Sequence, residues 1–390
     1  MTTKNETESI YEILNVTPPA SGETIDKLVD IVSIEHARDV LGRGLSKSQR
    51  KKNSEFYFGT GYDDNFYNRV LNFVYGNSGE LSADDKEQLA QYLPLKLRLI
   101  ASADPISITK NMVFPQDHAP VLLDAPKIVF SEKGAITMNA TELTILTKEV
   151  EVNSEAPEGL NYHIGFFAAQ GKPGADGSQA PSGQTGAQGK GGTGYADQGG
   201  NGTDGLDGVK GGDGGTGEPS KHGNLQLGSV KKKEGLTSPL TIYAAQSPGG
   251  AGGNGGDGGC GGNGGTGGNA HSSGCDKLSP GGTGGTGGNG GTGGAGGNGG
   301  AGTHGLPINY TYSKGSEIYI GTSSQNSSQA PGGKGGNGGA GGAGGAGGMG
   351  TKHRGHGAVG VQGKTGASGV SGQLGNIGIK AQIRGTPDNE

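Results

Sequence analysis

The stretch "GGNGTDGLDGVKGGDGGTG" (199–217) returns a glycine at every third position without a miss. Gly249–Gly267, Gly332–Gly350 and Gly360–Gly378 repeat it at the same length, each with seven glycines in register over nineteen residues. Gly281–Gly305 is two triplets longer, and Gly171–Gly192 keeps the register with one break, at Ala180. In chain order these are runs 1 to 6. Their equal length argues against a flexible linker, which has no reason to count.

Three conformations compete for such a pattern. Collagen needs glycine in every triplet without interruption and abundant proline, because three chains crowd one axis. These runs are short, broken and almost free of proline. Disorder is the second reading, since glycine-rich sequence cannot bury an apolar core. The third is a left-handed, three-per-turn rod rising ~3.1 Å per residue, so that a nineteen-residue run spans about 55–60 Å. Such a rod has no internal hydrogen bonds, and its backbone groups must pair with neighbouring rods. Runs with two glycines per triplet are expected centrally, and runs with one at the edges.

The triplets "GGNGGTGGN" and "GGAGGAGGAGG", in rods separated by irregular segments, resemble the polyglycine-II sandwich of T-even-like phage tail-fibre adhesins and of snow-flea antifreeze proteins. The resemblance covers the last 220 residues and leaves the N-terminal head without a counterpart. It implies attachment through the N-terminal portion and recognition of a surface protein or polysaccharide by loops.

Composition narrows the remainder. Hydrophobic residues make up only 29% of the 390 and lie mostly before residue 170, so an ordinary core is expected only there. A net charge of −5, with no basic field interleaved with aromatics, argues against nucleic acid as a partner. "MTTKNETESI" has no apolar signal region and no run reaches membrane-span length. The expected location is extracellular or virion-associated, with release or assembly from the cytoplasm. Cys260 lies inside run 3 and Cys275 in the connector after it, and free thiols are the favoured reading.

Along the first part, Ser21 reads as the N-cap of a helix "TIDKLVDIVSIEHARDVL", with Ile25, Leu28, Val32 and His36 on one face. "LSKSQRKKNSE" reads as a basic surface loop, and "DDNFYNRVLNFVY" as a second helix. Ser82 and Asp85 start a third, "ADDKEQLAQYL", which Pro94 ends. Period two then sets in: 95–100, 127–132, 135–140, 142–152 and 161–168 alternate as half-buried strands.

A larger repeat follows: strand, rod, short tip, rod, strand, used three times. Tips 193–198, 268–280 and 351–359 are short, whereas connectors 218–248 and 306–331 each read as two strands around a turn. Antiparallel rods place all three tips at one end and all strands at the other. The expected architecture is multidomain: an N-terminal α-helical head with short strands (1–125), a β-strand collar (126–170), and a bundle of six antiparallel polyglycine-II helices with interspersed β-hairpins (171–390).

The tips carry the candidate receptor-binding residues: Tyr195 and Asp197; His271, Ser273, Asp276 and Lys277; Lys352, His353, Arg354 and His356. Polar and aromatic loops on a rigid support suit recognition, because the support bears the ordering cost in advance. Lys231, Lys232 and Lys233 are a secondary surface, read first as a charged turn protecting a sheet edge. "AVGVQGKT" (358–365) fits a loose phosphate-loop pattern but sits inside a period-three run, so Lys364 and Thr365 are not expected to bind phosphate. No catalytic grammar, cofactor or metal set is expected. The reading is a non-enzymatic adhesin whose partner is a cell-surface protein or glycan, with the head left to dock on a larger assembly or a membrane. A bacterial toxin with a helical effector head, for instance an insecticidal protein, and an ice-binding protein are the alternatives.

Overall fold

The computed structural model describes residues 9–58, 65–116, 119–191, 196–271 and 280–388. Helix α1 (Ile10–Ile13) precedes strand β1 (Thr24–Ile31). Helices α2 (Ile34–Leu41), α3 (Lys47–Tyr57), α4 (Phe66–Tyr75) and α5 (Ala83–Ala90) follow. Their N-caps Ser33, Ser46, Asn65 and Ser82 each accept the backbone N–H three residues on.

Strands β2 (Leu95–Ser102), β3 (Ile106–Ile108), β4 (Asn111–Phe114) and β5 (Val121–Phe130) come next. β6 (Ala135–Asn139), β7 (Leu143–Val152) and β8 (Ile164–Phe167) complete the stretch before run 1. Strands β9 (Gly223–Gln226) and β10 (Ser229–Lys232) follow run 2, and β11 (Leu240–Ala245) precedes run 3. β12 (Ile308–Tyr312) follows run 4, β13 (Ile320–Gln325) precedes run 5, and β14 (Ile383–Pro387) follows run 6.

The nine-stranded sheet runs β1-β2-β5-β7-β9-β12-β14, with β3 on β5 and β10 on β7; β1–β2 is its antiparallel pair. The five-stranded sheet, β13-β11-β8-β6-β4, is parallel throughout. Ile128, Val150, Leu225 and Ile308 of the first sheet pack in one core with Ile136, Met138, Phe166 and Ile242 of the second. Each such enclosed side chain contributes about 1.5–3 kcal/mol. On the other face of the nine-stranded sheet, Leu97, Leu99 and Leu122 pack under Val40, Leu41, Tyr57 and Leu71 of the helices.

This architecture corrects the expected one. Regular structure among the described residues is an α/β fold of five α-helices and two sheets, not a helical head, a separate collar and a bundle of six polyglycine-II helices. The glycine-rich runs are assigned neither helix nor strand. Their N–H groups leave the segment for other runs, because glycine loses the most backbone entropy in a local helix and an extended run offers its own N–H groups no partner.

The head is also misread at residues 24–31, which form β1. Val29 and Ile31 are buried on alternate positions, while Leu28 is 60% and Val32 58% exposed. Asp26 and Asp30 pair across to Arg98 and Lys96 of β2, a cross-strand match that a helix would not offer. The segment read as a basic loop is α3, started by a capping box of Ser46 and Gln49. The connectors read as hairpins are not hairpins: β9 and β10 lie in the nine-stranded sheet and β11 in the other, and β12 and β13 divide the same way. β9 and β10 follow β7 in one register, broken at Gly228. Gly228 has φ +55°, and a Cβ there would lie 2.2 Å from the Lys148 carbonyl oxygen.

Backbone hydrogen bonds order the runs in two layers. Runs 1, 3 and 5 lie parallel (Gly174 N–H to Ala251 O, 2.8 Å; Gly255 N–H to Lys334 O, 2.8 Å). Runs 2, 4 and 6 lie parallel in the other layer (Gly202 N–H to Thr286 O, 2.9 Å; Gly290 N–H to Lys364 O, 2.8 Å). Between layers, neighbours are antiparallel, as in Gly200 N–H to Ala187 O (2.7 Å) and Gly360 N–H to Gly345 O (2.8 Å). Run 3 bonds to runs 1, 2, 4 and 5, whereas run 1, with one glycine per triplet, bonds only to runs 2 and 3 among the described residues. The odd layer continues β8, β11 and β13; the even layer leads into β9, β12 and β14. Each layer of this slab therefore prolongs one sheet of the sandwich.

Candidate functional site

The end of the slab farthest from the sheets gathers the described parts of the three tips, 196–198, 268–271 and 351–359. Asp197 N–H donates to Lys190 O (2.9 Å), and Asp197 O accepts from Gly268 N–H (2.8 Å). Ala270 N–H donates to Met349 O (2.9 Å), and Gly281 N–H to Gly355 O (3.2 Å). Segments after runs 1, 3 and 5 are thus stitched into one surface. The His271 ring lies against the Gly191 backbone, where a Cβ would come within 2.6 Å of its Cε1.

The third tip is a tight turn closed by a Thr351–Arg354 bridge, with Arg354 N–H donating to Thr351 O at 3.1 Å. His356 Nδ1 accepts from Gly350 N–H (3.3 Å), which leaves Nε2 as its donor. Asp197, His271, Lys352, His353, Arg354 and His356 are all exposed. Lys352 and Arg354 form no ion pair among the described residues, which leaves this end with available cations and hydrogen-bond donors. Tyr195, Ser273, Asp276, Lys277 and Cys275 lie outside the described residues, while Cys260 is a free, exposed thiol on run 3.

The lysine triplet is not brought to this end. It sits on β10 and just after it, at the sheets, and is largely committed. Lys231 pairs with Glu149 (2.7 Å), which Lys127 also holds (2.8 Å). Lys127 first, then Lys231, keep the Glu149 carboxyl below its usual range. Lys232 donates through Nζ to Leu236 O, and Lys233 donates its N–H to Val152 O at 2.9 Å. Lys364 is committed through its backbone: its N–H donates to Asn289 Oδ1 (3.0 Å) and its carbonyl accepts from Gly290.

Sequence reasoning missed a buried cluster under the helices. Tyr57 and His222 Nε2 lie 2.8 Å apart, and His222 Nδ1 lies 3.1 Å from Pro307 O. A carbonyl only accepts, so Nδ1 carries the proton and Tyr57 donates to Nε2. Tyr75 stacks on the imidazole at 4.0 Å and donates to Glu142 at 2.8 Å. Burial pushes His222 down to about 3 and raises both Tyr75 and Glu142. Tyr57 and His222 stand 165 positions apart, and no local pattern announces the pair. Also unforeseen is a shallow depression of about 310 Å³ between α3 and β14, lined by Lys52, Glu55, Phe56, Gln382 and Arg384.

Comparison with known proteins finds no family model, no curated protein and no solved structure that matches the chain.

Proposed function

We propose that this chain is a non-enzymatic receptor-binding protein, an adhesin that presents its tips on the glycine-rich slab to a cell-surface protein or glycan. The observation that carries the reading is the meeting of Asp197 and the 350–356 turn at one end, stitched by backbone hydrogen bonds through Gly268, Ala270 and Gly281, with the His271 ring against Gly191. Exposed Lys352, His353, Arg354 and His356 offer donors and positive charge on a support that loses little entropy on binding. A carbohydrate carrying carboxylate or sulfate, or an acidic protein loop, matches that chemistry. On this reading the helices and sheets at the opposite end attach to a larger assembly, and the protein acts on a particle or outside the cell. The test is binding of the full chain to intact cells and to a panel of surface glycans. Replacing Lys352, His353, Arg354 and His356 together by alanine should abolish binding while circular dichroism stays unchanged. Undiminished binding by that variant would sink the proposal.

A further inference from the structure

The chain contains six Asn-Gly pairs, at Asn201, Asn254, Asn263, Asn289, Asn298 and Asn337, all in the runs. Five share one arrangement. Asn254 Oδ1 accepts from Lys334 N–H at 2.9 Å while Gly255 N–H donates to Lys334 O at 2.8 Å. Asn263 and Gly264 hold Ala343 the same way, at 2.9 and 2.8 Å. Asn201–Gly202 hold Thr286, Asn289–Gly290 hold Lys364, and Asn298–Gly299 hold Gln373. Each pair thus clamps both main-chain groups of one residue on the next run of its layer.

Asn337–Gly338 is the exception. Run 5 is the last of its layer, so no further run stands beside it. Asn337 donates its N–H to Asp257 Oδ1 (2.7 Å), but its exposed side chain has no hydrogen-bond partner among the described residues, and neither has Gly338 N–H.

We infer that Asn337 is the site of spontaneous backbone modification in the folded chain, and that the other five Asn-Gly pairs are protected by their clamps. The reaction needs only solvent. The Gly338 amide nitrogen loses its proton to hydroxide and attacks Asn337 Cγ. The N–Cγ bond forms, the Cγ–Nδ2 bond breaks, and ammonia leaves. Water then opens the cyclic imide at either carbonyl, giving aspartate or isoaspartate. In a clamped pair both reacting groups, the side-chain amide and the glycine N–H, are bound to the neighbour. Two hydrogen bonds must open before the ring can close. At Asn337 neither of these bonds exists among the described residues; its carbonyl is held by Gly258 N–H at 2.8 Å, as the Asn254 carbonyl is held by Gly177 N–H. The isoaspartyl product adds a methylene to the backbone and a negative charge at the slab edge, so it alters the three-residue register on run 5 alone.

The full-length folded protein, aged in mildly alkaline buffer and mapped by mass spectrometry with isoaspartate detection, tests this. Asn337 should convert at least about tenfold faster than any of the other five, the effect of opening two hydrogen bonds first. The same chain aged in concentrated urea should show all six converting at comparable rates. Equal rates in the folded protein, faster conversion at a clamped pair, or no conversion at Asn337 would each overturn the inference.

Discussion

Tyr57 donates its phenolic proton to His222 Nε2 across 2.8 Å, in a site where Pro307 O fixes the other imidazole nitrogen as the donor. Burial opposes a charge on His222 most strongly, the Pro307 carbonyl offsets part of this, and the Lys221 and Arg384 charges add to the opposition. This is why the folded group titrates near 3 rather than at its ordinary 6.5. In the unfolded chain the imidazole takes a proton below about pH 6.5, while the folded form refuses it until about pH 3. Stability is therefore complete above pH 6.5 and falls as the pH drops toward 3, by on the order of 3–5 kcal/mol for the full shift. Glu142, raised by burial, acts in the opposite sense, since acid relieves the cost of its buried charge. Urea midpoints measured across this pH range should fall steeply for the native chain and far less for His222→Gln. Parallel profiles would show that His222 does not govern the acid limb.

Close approach of backbones makes the glycines on the inner faces of the slab irreplaceable. A Cβ on Gly259 would lie 1.9 Å from Pro181 O, and one on Gly291 1.9 Å from Leu206 O. Neither obstacle is a flexible side chain, so whole runs must shift. Gly259→Ala or Gly291→Ala should cost about 3 kcal/mol or more, at and beyond the upper end of the range for overpacking. Gly79→Ala, with open space around it, should be close to neutral. Thermal unfolding of the three variants measures the contrast, and equal melting temperatures would contradict it.

Much of this was legible because it is periodic. Glycine at every third residue marks the runs, and alternation over 95–100, 135–140 and 142–152 marks strands that the fold contains. Residues 24–32 fit two periods at once: Ile25, Leu28 and Val32 at helical spacing, Val29 and Ile31 at strand spacing. The partner that decides between them, β2, begins some seventy residues later. Helix α3 has no continuous apolar stripe to announce it, although its capping box, Ser46 and Gln49, stood in plain view. The described parts of the tips meet at one end because consecutive runs are antiparallel. The division of strands between two sheets depends on long-range pairing, which no local period encodes.

The frequency of Asn and Asp between the glycines has a structural cause. Asp204 Oδ1 accepts from Asn289 N–H (2.6 Å), Asp207 from Thr292 N–H (2.7 Å) and Asn263 from Ala343 N–H (2.9 Å). Bonding to Thr292 holds the Asp207 carboxyl below its usual range. These side chains satisfy N–H groups that the glycine network leaves over, rather than pointing idly to solvent. Asn263→Ala should cost about 0.5–1.5 kcal/mol, the value of one net hydrogen bond, whereas Asn263→Asp keeps the acceptor and should cost less. Chemical denaturation of the pair decides it: equal losses would mean that the acceptor contributes nothing.

Asn53 joins the helices to strands that arrive more than two hundred and fifty residues later. Its Nδ2 donates to Tyr75 O (2.9 Å), while Oδ1 accepts from Asn309 Nδ2 (3.3 Å) and Arg384 Nη1 (3.0 Å). The residue is fully buried, so truncation strands a carbonyl, an amide and part of a guanidinium at once. Asn53→Ala should therefore lose about 2–4 kcal/mol, more than one hydrogen bond is worth, because unsatisfied buried groups keep their desolvation cost. Gln49, which reaches Tyr310 O at 3.3 Å from the same helix, offers a milder comparison. Hydrogen exchange separates two ways of losing that energy. If the helices are held to β12 and β14 chiefly through Asn53, amides of α3 and α4 should exchange faster in Asn53→Ala, while those of the five-stranded sheet keep their protection. Uniform acceleration across both sheets would instead mean that Asn53 stabilises the whole sandwich and is no local tie.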